Sequence, residues 1–129
     1  MKAPVLCEDE LQTFHSMWDI GSTGAHTKTA NSGGKGFAKV DRSDTGEYTI
    51  TFTKTLAGLG TLVDLHLTHW HAADATPRWL GPTVGSFVAE TPSAAATVEY
   101  ESWDLATPSL AELVSGDKVS ITAVFLKTS

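Results

Sequence analysis

His66, His69 and His71 are the residues whose type and spacing come closest to chemistry. In an extended run from Thr61 to His71, His69 and His71 stand two apart, share one face of a strand, and offer the imidazole nitrogens that zinc or nickel takes. A third ligand from this chain or a symmetry mate would complete such a site, whereas His66 falls on the opposite face. No acidic residue is set by spacing alone to support these histidines as an acid–base pair. Cys7 is the only cysteine, which leaves neither a cysteine-based zinc site nor a disulfide within one chain. Surface or subunit-contact histidines are therefore expected, with a His69/His71 metal site as the weaker alternative and no cofactor implied.

Other catalytic patterns fail on inspection. No G-x-S-x-G elbow precedes a helix, so nothing fixes a serine nucleophile beside a base. Ser32-Gly33-Gly34-Lys35-Gly36 resembles a phosphate-binding loop, yet glycine follows Lys35 where a metal-binding hydroxyl is needed. Glu99 and Glu101 alternate on a strand face, which reads as a solvated face in preference to a catalytic dyad. The expectation is a protein that is not an enzyme. Four tryptophans, Trp18, Trp70, Trp79 and Trp103, serve core or interface packing first. Trp70 and Trp79 are the candidates for an exposed stacking or interface role, and Trp79 stands beside Arg78 in an irregular segment.

The elements that must position these residues are strands. Gly46 to Thr53 alternates Tyr48, Ile50 and Phe52 with Thr49, Thr51 and Thr53, every residue from Tyr48 to Thr53 being β-branched or aromatic. Phe37–Val40 precedes it across a polar connection, Asp41 to Gly46, which makes a hairpin. In the run from Thr61, Val63, Leu65 and Leu67 oppose Leu62, Asp64 and His66. Pro82 marks an edge, bulge or loop. Strands follow at Val84–Glu90 and Ala95–Trp103, then at Lys118–Lys127, whose second half is apolar on both faces and calls for a central or covered position. Between them, Thr107 to Gly116 has a helical signature: Pro108 at the first position, Ser109 with Glu112 as a capping box, Gly116 past the end. Residues 5–20 read either as a strand docked on the domain's own core or as an arm reaching a neighbouring subunit, with Leu11, Phe14, Met17 and Trp18 as contact residues. Gly21 to Gly36 reads as a Gly/Ser-rich linker. The expected fold is all-β: one β-sandwich or jelly roll over 36–129, preceded by an N-terminal extended arm and linker over 1–35, with one short helical connector.

Size and charge bound the function. The chain has 129 residues, enough for one self-sufficient core. Fifteen acidic residues against nine basic ones give a formal charge of −6, which disfavours nucleic acid as a partner. No apolar run approaches the ~18–20 residues of a membrane span, and no signal peptide is evident, so no membrane partner is expected and assembly in a reducing cytosol fits.

The run Gly36 to Phe52, with its Arg42-Ser43-Asp44-Thr45-Gly46-Glu47-Tyr48-Thr49-Ile50-Thr51 turn and strand, resembles a signature of small virion proteins from tailed bacteriophages. Trp103-Asp104-Leu105-Ala106, Gly116-Asp117-Lys118-Val119 and Val124-Phe125-Leu126 are similar to the closing pattern of the same group. The family implied is the head decoration, or cement, proteins. The resemblance implies a jelly-roll sandwich like that of tumour necrosis factor, a homotrimer, the major capsid protein as partner, and a place on the capsid exterior of a virion assembled in the host bacterial cytoplasm. The alternative is a glycan-binding β-sandwich module of a virion or tail fibre, stacking sugars on Trp70 or Trp79.

Overall fold

The computed structural model describes residues 11–28, 35–54, 59–70 and 78–127. These build nine strands: β1 (Leu11–Ile20), β2 (His26–Lys28), β3 (Phe37–Asp44), β4 (Glu47–Phe52), β5 (Leu59–Trp70), β6 (Arg78–Pro82), β7 (Thr97–Asp104), β8 (Ser109–Leu110) and β9 (Lys118–Lys127). They form two sheets, one ordered β2-β1-β9-β5 and the other β3-β4-β7-β6, with β8 also on β7. Every pairing is antiparallel. The chain passes from sheet to sheet at β2–β3, β4–β5, β5–β6 and β8–β9. The result is an all-β sandwich.

Alternation decides what the sandwich buries. Tyr48 and Ile50 are fully buried and Phe52 nearly so, while the intervening threonines face out. Across the layer, Val119, Ile121, Ala123 and Phe125 of β9 are fully buried. The sheets interlock through aromatic edges: Phe52 meets Phe125 with ring centroids 4.9 Å apart, and Trp18 meets Phe37 at 6.3 Å. As its apolar faces require, β9 lies between β1 and β5. The hairpin turns at Thr45-Gly46, where Gly46 has φ +67°, and a Cβ there would press on the backbone of Ala111 and Ser102. Strand β3 runs on to Asp44, which shortens the expected connection to those two residues.

Residues 11–20 dock on this chain's own sheet. β1 pairs with β9 from Leu11↔Leu126 to Asp19↔Lys118 and buries Phe14, Ser16, Trp18 and Ile20. Within the Gly/Ser-rich stretch, β2 pairs with the end of β1.

The segment around Trp79, expected to be irregular, is the regular edge strand β6, and three further expectations are corrected. Residues 107–116 are not helical: Leu110 pairs with Trp103, and the Ala111 N–H donates to the Ser102 carbonyl at 2.9 Å. A two-turn helix is marginal by itself, and Glu112, read as the partner of a Ser109 cap, is drawn instead to Arg42 and Tyr48. Val84–Glu90 is not a regular strand but an irregular segment with one bridge, Val88↔Thr97. Gly85 there has φ +75°, and the Ser86 hydroxyl donates to the carbonyl of Thr83 while accepting from the Glu99 N–H, in place of a backbone ladder. In β5 a register shift between Leu62 and Asp64 breaks the alternation, so Leu62 packs on the core and Val63 turns outward, 52% exposed.

Candidate functional site

The richest polar constellation lies at one end of the sandwich, where β2, β3, β4 and β7 meet the segment before β9. Glu112 is its hub. Its Oε1 accepts from Arg42 Nε at 2.5 Å and from the Gly46 N–H at 3.3 Å; its Oε2 accepts from the Tyr48 hydroxyl at 2.9 Å. The same hydroxyl accepts from the Leu113 N–H at 2.9 Å, so Tyr48 both gives and takes a proton bond across the layer. Arg78 Nε donates to the Glu112 carbonyl at 3.3 Å.

His26 and Tyr100 complete the group. His26 Nδ1 lies 2.8 Å from the Gly24 carbonyl, which can only accept, so that nitrogen carries the proton. In the neutral ring Nε2 is then an acceptor, and the Tyr100 hydroxyl donates to it. Burial favours that neutral ring and pulls the His26 pKa down from 6.5 to about 4, against the opposing pull of the Gly24 hydrogen bond and of Glu112. Burial likewise pushes both tyrosine hydroxyls above their ordinary range, and Tyr100 is raised further by Tyr48. The rings pack on one another at a tilt, with the His26 centroid 4.7 Å and the Tyr100 centroid 5.1 Å from that of Tyr48. Every group that could act as acid, base or nucleophile is thus tied to another or to backbone, and the cluster works as a polar strut between the sheets.

His69 is held in a similar way. Its Nε2 lies 2.8 Å from Oδ2 of Asp117, a fully buried carboxylate side chain that also accepts from the Val114 N–H at 3.1 Å. Asp117 is the acidic neighbour that spacing could not reveal, because it lies 48 residues away. His66 is exposed on the other face. His71 lies outside the described residues, and among the described residues no group of three or more His, Cys, Asp or Glu is placed to hold a metal. No helix among them is long and apolar enough to cross a membrane.

The remaining candidates separate by burial. Phe14 and Trp18 belong to this chain's core, while Leu11 and Met17 are half-buried. Trp70, at the end of β5, is 57% exposed, and Trp79 on β6 is 51% exposed. They belong to different sheets, so one strand surface does not present both. Exposed apolar side chains also collect at the edge formed by β5. Val63 and the almost fully exposed Val84 flank a cleft of about 280 Å³ between β5 and residues 82–87, with Leu62, Leu65 and Phe87 in its wall. No protein-family model, curated protein or solved structure matches the chain, and the reading of its surfaces rests on this geometry and on the sequence patterns above.

Proposed function

We propose that the protein is a non-enzymatic head decoration protein of a tailed bacteriophage, bound as a homotrimer to the outside of the major capsid shell and stabilising it. The observation that supports this reading best is the β5 edge. It is a 12-residue edge strand that turns Val63 outward beside Val84 and leaves Trp70 exposed at its far end, whereas the polar clusters are spent on holding the sandwich together. A long edge strand with apolar neighbours is a surface that soluble proteins cover or blunt. Packing that edge against a second and third copy satisfies it, and symmetry then multiplies modest contacts to the shell through avidity.

The direct experiment is sedimentation of the full chain and of the Val63→Glu/Val84→Glu variant. The wild type sediments as a trimer, and the variant as a folded monomer with an unchanged circular dichroism spectrum. A wild-type monomer, or a variant that remains trimeric, contradicts the seam.

A further inference from the structure

The outer face of the five-stranded sheet carries a row of apolar side chains that the core does not use. Trp103 on β7 has Trp79 of β6 as its register partner on one side and Leu110 of β8 on the other. Directly paired residues of antiparallel strands project to the same face. That face is the outer one, because the alternate residues Val98, Tyr100 and Ser102 of β7 are buried.

Both indoles are held in place. Trp79 folds along its own strand over Gly81, where an added Cβ would collide with the six-membered ring. Glycine at this position lets the indole settle against the backbone while half of the residue stays exposed. Trp103 leans the same way, its Nε1–H donating to Glu101 Oε2 at 2.7 Å, and Glu101 is the register partner of Gly81. The other oxygen of Glu101 accepts from the Thr83 hydroxyl at 3.2 Å. Two neighbouring rings therefore lie in parallel directions beside a carboxylate of fixed orientation, and Glu47, the partner of Glu101 on β4, adds a second carboxylate.

Pre-set aromatic rings lose little conformational entropy on binding. The exposed part of Trp79, continued by the half-buried Trp103, takes a flat apolar surface, and the spare lone pairs of Glu101 and Glu47 take hydroxyl donors at its rim. A pyranose with equatorial hydroxyls has that combination: C–H groups on its faces and O–H groups around its edge. A peptide added as a strand suits this edge less well, because Pro82 removes a backbone donor from β6. We propose that Trp79, Trp103 and Glu101 form a glycan-binding platform for a neutral chain of hexopyranose units with equatorial hydroxyls. The platform lies on the opposite sheet from the β5 edge and does not depend on the trimer.

The test is titration calorimetry of the full chain with cellohexaose and chitohexaose, alongside an array of neutral oligosaccharides. At least one of these glycans binds; Trp79→Ala weakens binding tenfold or more, and Glu101→Gln several-fold, with the thermal midpoint held. Gly81→Ala, which lifts the indole while keeping it present, weakens the same glycan and serves as the second variant if Trp79→Ala fails to fold. Absence of binding to every glycan, affinity unchanged in both Trp79→Ala and Gly81→Ala, or binding of a lysine-rich peptide alone overturns the proposal.

Discussion

His26 shows how a single residue couples this fold to pH. Its folded-state pKa lies near 4 and its unfolded value near 6.5, so above 6.5 both states hold a neutral ring and the buried imidazole makes its full contribution. As pH falls from 6.5 towards 4, the unfolded chain takes up the proton first and that contribution is lost, on the order of 3 kcal/mol in all. Urea denaturation at pH 7 and pH 4.5 measures it: the wild type loses more stability than His26→Phe, which has no ring to protonate, and equal losses contradict the assignment. Little of this was legible in the sequence. Alternation identifies Tyr48 as buried, but nothing local states that its hydroxyl meets Glu112 and Leu113, more than 60 residues away, or that His26 in a Gly/Ser-rich stretch faces Tyr100. The same limit hid Asp117 from His69. These partners are set by how strands cross between sheets, and periodicity carries no information about that.

At the scale of elements, strands with strong two-residue alternation were the legible ones. Tyr48, Ile50 and Phe52 of β4 and the odd-numbered residues Val119 to Phe125 of β9 face the core as their pattern requires. The misread elements have non-local causes. The segment 107–116 satisfies helix-start chemistry, yet its hydrogen bonds go to β7 and its Glu112 to β3 and β4. In β5 a bulge exchanges the roles of Leu62 and Val63. For β1 the sequence left two readings, and the difference is measurable. Trp18 is 2% exposed, set edge-on to Phe37 of the opposite sheet with the Lys28 ammonium 5.8 Å from its ring. Trp18→Ala therefore costs ~3–5 kcal/mol in chemical denaturation. Were Trp18 an outward contact for a neighbour, the substitution would weaken assembly and leave the isolated chain as stable as before.

Considered whole, the molecule divides its work between inside and surface. The interior is closed by aromatic contacts between the sheets and by the polar clusters around Glu112 and Asp117. Among the described residues, two surfaces stand out for partners: the β5 edge with Val63 and Val84, and the outer sheet face with the exposed Trp79 beside the half-buried Trp103. A formal charge of −6 fits a protein on the outside of a DNA-filled shell, which gains nothing from affinity for the genome. The sequence patterns over residues 36–52 and 103–126 suggested that setting, and the sandwich gives them a common framework. The central proposal is that the protein is a structural component of a virion, and the most direct measurement is quantitative mass spectrometry of intact, gradient-purified phage particles from a lysate in which the chain is expressed. The account predicts the chain in those particles at a copy number that is a multiple of three and fills a set of three-fold or pseudo-three-fold positions on the capsid. Its absence from purified particles contradicts the account.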